Sequence, residues 1–240
     1  MAMTLTSDTL LARGALYHLL ALGFAYPDDA QRRHVAELAV ALVTAVEPLD
    51  PQWRPRLDEL STAWGHAAVT DLEADFNRLF SGSMECPPHE TSFERDGFAK
   101  QHVLADIAGF HLAFGFELPE GSRWQHDDLG VELEFCSLLL QRTAYALDED
   151  LPDRDAKVEV CEQALRTFLA EHLGRWVRSF TTELEAVAHE PAYRVLAART
   201  REWVETELRG LGATPDFLVA RPGVAPDDAP PECAGCPAVE

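Results

Sequence analysis

The sequence predicts an all-α protein: a single globular helical domain of about eight or nine helices, with two functional central loops and a flexible C-terminal tail. Three observations lead there. Apolar residues recur at helical spacing along most of the chain, and no run alternates strictly as a half-buried strand would. Most of the apolar stretches stop at Pro or Gly. With 47% hydrophobic and 25% charged residues, the composition can fill a core and still be solvated.

The elements follow in order. Ser7 can cap a first helix carrying Leu10, Leu11, Leu16, Leu19, Leu20 and Phe24, which ends at "YPDD". A second helix spans 28–46 and stops at "EPLDP"; a third lies around 56–66, and a fourth, "DLEADFNRLF", runs to Phe80. The segment 81–97, "SGSMECPPHETSFERDG", is long for a connection between helices, and such loops are usually functional or disordered. A helix over 98–114 precedes a second irregular stretch, "GFELPEGSRWQHDD". The next helix begins at Asp127 and Asp128, where acids suit free N–H groups and the positive end of the helix dipole. After "DEDLPDRD", two or three helices cover 156–208, with Phe168, Leu169, Leu173, Trp176, Val177 and Phe180 on one stripe and Pro191 separating the last. The expected domain is 1–210. The remainder, 211–240, reads as a mobile tail ending "PPECAGCPAVE".

A net charge of −21 repels nucleic acid and anionic membrane, and favours cationic partners or plain solubility. The longest apolar run, "LAVALVTAV" over 38–46, is too short to span a bilayer. The N-terminus lacks the basic region of a signal peptide, and Cys86, Cys136 and Cys161 are too scattered for a secreted disulfide framework. A cytoplasmic protein with no nucleic-acid or membrane partner is expected.

Enzyme motifs are absent. The chain has no Gly-x-x-x-x-Gly-Lys-Ser/Thr, Gly-x-Gly-x-x-Gly, Gly-x-Ser-x-Gly or His-Glu-x-x-His, and no His follows a Glu by three residues as a di-iron site requires. Cys233 and Cys236 form one Cys-x-x-Cys, half of a structural zinc site. They are weak metal candidates, with Cys86 or His89 as conceivable further ligands, and incidental tail thiols are the preferred reading. His102 and Asp106 stand one turn apart and could hydrogen-bond.

The helix "LGVELEFCSLLL" is apolar almost all round yet contains Glu132 and Glu134. They lie about 200° apart on the helical wheel, so they cannot share one narrow solvent face, and at least one must be partly buried. A buried carboxylate is paired, hydrogen-bonded or raised in pKa. Two readings stay open for Glu132: an internal ion pair with a distant arginine, or a carboxylate at a groove awaiting a cation. From 117 to 159 there are twelve Asp or Glu against four Lys or Arg, with Trp124, Phe135 and Tyr145 interspersed. Such a lining suits a peptide carrying arginines and apolar residues.

At these residues the chain resembles the TorD/DmsD/NarJ-type redox-enzyme maturation chaperones. In that family an Asp-His pair leads into a helix with a Glu-Leu-x-Phe-Met core. Asp127, Glu132, Leu133 and Phe135 match it, while Asp128 replaces the His and Cys136 the Met. The loop "RLFSGSMECPPHETSF" is similar to the family's Pro-Pro-Tyr-Glu-Ser loop through Pro87, Pro88 and Glu90, with His89 in place of Tyr. The closing helices are similar too, so the resemblance runs over 8–209. It implies an all-helical, cytoplasmic, non-catalytic chaperone with no cofactor of its own, monomeric or homodimeric. Such a chaperone would bind the apo catalytic subunit of a molybdopterin-dependent oxidoreductase, commonly at its twin-arginine peptide, until cofactor insertion. The resemblance places Glu90, Phe93, Trp124, Asp127, Asp128, Glu132 and Phe135 at the client-peptide site, beside the loop residues Pro87, Pro88 and His89. Asp128 in place of His should make the site more acidic.

Overall fold

The computed structural model describes residues 6–119, 124–148 and 153–218. These form nine α-helices and no strand: α1 (Ser7–Gly23), α2 (Asp29–Val46), α3 (Trp53–His66), α4 (Val69–Phe80), α5 (Gly97–Ala113), α6 (Leu129–Asp148), α7 (Arg154–Glu171), α8 (Leu173–Val187) and α9 (Pro191–Leu211). The expected all-α class holds, and the expected helix boundaries mostly hold to within a few residues.

The ends follow local chemistry. Thr6, rather than Ser7, caps α1 in a reciprocal box with Thr9, and Ser7 turns instead to Asp148 at 2.7 Å. Asp28 caps α2 through Gln31 N–H at 2.8 Å. Pro191 opens α9, where its missing N–H costs nothing, and Gly212 closes it with a left-handed φ of 63°. Residues 213–218, placed in the tail by sequence, return to α8. There Leu218 N–H donates to Arg175 O at 2.8 Å, and Ser179 Oγ donates to Leu218 O at 2.6 Å.

α1 and α6 pack along their lengths as the central pair, flanked by the pairs α2–α3 and α8–α9. The approach is close at Gly14, where a Cβ would lie 3.3 Å from Ser137 O, and Ser137 Oγ donates to Gly14 O at 2.9 Å. Tyr17, Trp53 and Trp203 meet edge-to-face in the buried layer between α1, α3 and α9. α5 is held differently. Val103, Ile107 and His111 are buried, whereas Phe98 and Leu112 are 77% and 83% exposed.

α8 starts against the end of α7, and at Gly174 a Cβ would stand 2.2 Å from Leu169 O. A backbone oxygen cannot swing aside, so Gly174→Ala is expected to cost about 1–3 kcal/mol by forcing the two helices apart. Urea denaturation measures it, and an unchanged midpoint would show that the junction has slack.

Candidate functional site

The two irregular segments singled out in the sequence meet. Glu90 N–H donates to Asp127 O at 3.0 Å and Leu129 N–H to Pro88 O at 2.9 Å, an antiparallel bridge centred on His89 and Asp128. Proline suits this edge, since Pro88 contributes only its carbonyl. A 3-10 turn, Glu90–Ser92, follows, and Thr91 donates both N–H and Oγ1–H to Asp127 Oδ2, at 3.2 and 2.6 Å.

Asp127 and Asp128 therefore do not serve their own helix as side-chain caps. Asp127 ties down the other segment. The carbonyl of Asp128 does accept the helical bond from Glu132 N–H, but its carboxylate turns back to Gln125 N–H at 2.8 Å and to His89 Nδ1 at 3.1 Å.

Beneath the bridge lies a buried polar cluster. Glu132 is fully buried; Trp176 Nε1–H donates to its Oε2 at 3.1 Å, while Oε1 has no hydrogen-bond partner among the described residues. Burial, with the charges of Glu90, Asp127 and Asp128, pushes its pKa well above the ordinary carboxylate value, against the opposing Trp176 bond. Neither reading left open for Glu132 holds: it has no arginine partner among the described residues, and it faces no open groove. Glu134, two residues on, is the half-exposed one and pairs with His18 at 2.6 Å. Glu90 is also fully buried, 3.3 Å from His172 and 3.4 Å from Arg175, which reaches Glu94 as well. Burial raises its pKa against the opposing His172 contact and Arg175 charge, and Asp127 adds to the rise. His172 Nε2 faces Asp106 at 3.3 Å, so Asp106 looks toward another element rather than toward His102.

Phe93 and Phe135 are core residues too. Phe93 stacks on Trp176 at 5.4 Å, and Phe135 sits among Phe110, Phe116, Phe168 and His111. His111 contacts His126 Nδ1 to Nδ1 at 2.7 Å, and burial with two neighbouring histidines lowers its pKa to about 3. Of the residues assigned by resemblance, then, Glu90, Phe93, Asp127, Glu132 and Phe135 lie behind the surface. Trp124 is 41% exposed, and Asp128 and His89 reach the wall of a cavity.

That cavity, of about 570 Å³, runs between the end of α1 (Phe24, Tyr26), the end of α4 (Phe76, Phe80), Met84, Pro88 and Trp124, with Asp128 and His89 on its wall. A smaller apolar one of about 250 Å³ adjoins it through the shared residues Pro119 and Trp124, and Glu117 and Glu134 line it. Tyr26, Phe76, Phe80 and Met84 carry no sequence signal beyond ordinary apolar residues near helix ends. Burial holds His89 down, but the nearby carboxylates of Asp128 and Asp127, the latter 3.9 Å away, outweigh it and raise its pKa.

Among the described residues no group of three or more His, Cys, Asp or Glu could hold a metal ion. Cys86 is buried against Phe180 O, and Cys233 and Cys236 lie outside the described residues. No described helix is long and apolar enough to cross a membrane.

Residues 46–182 match the family described as nitrate reductase delta subunit. The chain is 30% identical over 209 residues to the chlorate reductase assembly chaperone protein of Ideonella dechloratans, covering 87% of this chain and 94% of that protein. It is 26% identical over 218 residues to the perchlorate reductase assembly chaperone protein of Dechloromonas aromatica (strain RCB), covering 84% and 90%. A crystal structure of a redox enzyme maturation protein from Archaeoglobus fulgidus shares the fold with a TM-score of 0.50 at 19% identity, over 81% of this chain and 93% of that one. These relatives are named for assembly and maturation and none of them as a catalyst. The chain belongs to the nitrate reductase delta subunit family and is a redox-enzyme maturation chaperone of the kind its central segments resemble.

Proposed function

We propose that this chaperone works in the cytoplasm on the apo catalytic subunit of a molybdopterin-dependent oxidoreductase of the DMSO reductase class. In this reading it holds the subunit's N-terminal twin-arginine-type peptide until cofactor insertion is complete. The relatives named for chlorate and perchlorate reductases support a reductase client. The observation that carries the peptide reading is the joined pair of cavities, walled by Tyr26, Phe76, Phe80 and Trp124 and edged by Asp128, Glu117 and Glu134. Aromatic walls take the peptide's apolar residues. The carboxylates take guanidinium groups by charge-assisted hydrogen bonds. Glu90 and Asp127 serve this groove from behind by fixing the bridge that forms its wall, and Glu132 lies beneath it.

Calorimetric titration with a synthetic N-terminal peptide of the catalytic subunit tests the reading. Trp124→Ala is expected to weaken binding by about 1–2 kcal/mol, an aromatic anchor's share, and Asp128→Asn to weaken it and flatten its salt dependence. No binding by the wild-type protein would sink the peptide reading.

His89 adds a pH signature. A guanidinium that reaches Asp128 displaces the His89 ring now 3.1 Å away and removes the charge that raises its pKa, so below that raised pKa binding should release a proton. Affinity should then rise as pH rises through the raised pKa of His89 in the free protein, and level off above it. Identical binding heats in two buffers of different ionisation enthalpy would show that His89 keeps its proton.

A further inference from the structure

A second surface lies at the far end of α6. Val131 lines the apolar cavity beside the groove and Tyr145 stands fourteen positions on, roughly 21 Å along the helix at 1.5 Å per residue. There a cavity of about 440 Å³ opens between the end of α5 (Phe114), α6 (Arg142, Tyr145) and the start of α7 (Lys157, Val160, Cys161). Its apolar rim is unusually open: Tyr145 is 61% and Val160 57% exposed, and Leu112 nearby on α5 is 83% exposed. Exposed apolar side chains gathered on one cavity, as Tyr145 and Val160 are, mark interaction sites more often than singly scattered ones.

The charge of the cavity is opposite to that of the chain. Asp and Glu outnumber Lys and Arg by 41 to 20, yet among the described residues no carboxylate lines this cavity and the charged lining groups are Arg142 and Lys157. Both are exposed, and neither side chain has an ion pair or hydrogen bond among the described residues. Of the nearby described acids, Asp155 pairs with Arg154 at 3.2 Å and Asp148 accepts from Ser7 at 2.7 Å. Two exposed cations over an apolar floor complement a segment that presents carboxylates beside apolar side chains. An anionic lipid surface offers similar charge, but the field of a −21 protein opposes its approach.

We propose that the α5–α6–α7 cavity is a second docking surface, for an acidic amphipathic segment of a partner polypeptide. It does not depend on the groove reading, because the two surfaces share no residue. Their separation leaves the groove open while this surface is occupied, so one protein could hold a basic segment at one end of α6 and an acidic one at the other.

The test uses the full chain and two synthetic amphipathic peptides of identical spacing, one of Leu and Glu and one of Leu and Lys. Isotope-edited NMR should show the Glu peptide shifting backbone amides around 142–146 and 156–161, with little change around 124–131. The double charge reversal Arg142→Glu with Lys157→Glu should weaken that binding by about tenfold or more. Tyr145→Ala should weaken it without changing its salt dependence. All three positions are exposed, so the thermal midpoint should stay near wild type. Absence of binding, equal binding of the Lys peptide, or an unmoved affinity in the charge reversal would overturn the proposal. So would a concentration-dependent dimer that buries Tyr145 and Val160, since the occupant would then be a second copy.

Discussion

Replacing Arg13 with methionine is expected to destabilise the fold by about 3–5 kcal/mol, the cost of leaving one member of a buried ion pair alone. Arg13 on α1 donates Nε–H and Nη2–H to the two oxygens of Glu207 on α9, at 3.0 and 2.9 Å. Both side chains are buried, and the contact closes the chain's first helix on its last. Removal of the guanidinium strands Glu207 in an apolar layer where water cannot replace the two bonds. The double variant Arg13→Met with Glu207→Leu removes both charges and should return to within about 1 kcal/mol of wild type, because a well-packed apolar pair substitutes for a buried ion pair at little cost. Urea denaturation of the two singles and the double gives the coupling energy directly. A single variant that loses less than about 1 kcal/mol would mean that the pair behaves like a screened surface bridge.

That pair illustrates what the sequence does and does not disclose. Helices are legible because their causes are local. Apolar spacing, Asp28 as a cap, Pro191 at a first turn and glycine at a last one all act within a few residues. Departures have nearby or distant causes: Thr6 takes the cap expected of Ser7, whereas α3 begins earlier than expected, at Trp53, whose ring packs on the distant Trp203. Nothing local marks Arg13 for Glu207, 194 positions away.

The site divides in the same way. The wheel argument that Glu132 and Glu134 cannot share a face is a statement about one helix, and the structure bears it out. What Glu132 meets is settled by Trp176 on α8, which spacing in α6 cannot foretell. The importance of the two central segments is legible from their length and composition. Their pairing through Glu90 and Asp127 is not, since backbone bridges leave no trace in side-chain pattern. His111, His172 and Arg175 carry no local signal for the same reason, each being completed by a residue from another element.

Glu132→Gln is expected to stabilise the protein at neutral pH and to leave it unchanged in acid. The fold raises the pKa of Glu132, chiefly by burial and then by Glu90. The unfolded chain therefore releases this proton at the ordinary carboxylate value while the folded chain keeps it. Between those two values the unfolded state binds fewer protons, so wild-type stability falls as pH rises, by up to about 1.4 kcal/mol per pH unit for one proton. Below that window both states are protonated and the group contributes nothing. Glutamine keeps the shape and the acceptor for Trp176 Nε1–H without the ionisation, so its stability curve should merge with wild type in acid and rise above it toward neutrality. Glu90 adds a loss in the same direction, but it is present in both proteins, and the difference between the curves isolates Glu132. Urea midpoints across the acid-to-neutral range provide the curves, and parallel curves would mean that Glu132 is ionised in the folded protein. The same variant separates support from contact. Because the side chain lies behind the wall of the groove, peptide affinity should change by less than about twofold, an effect within the coupling expected of sites that share no partner. A larger loss would show that the buried acid reaches the peptide through the bridge at Asp128.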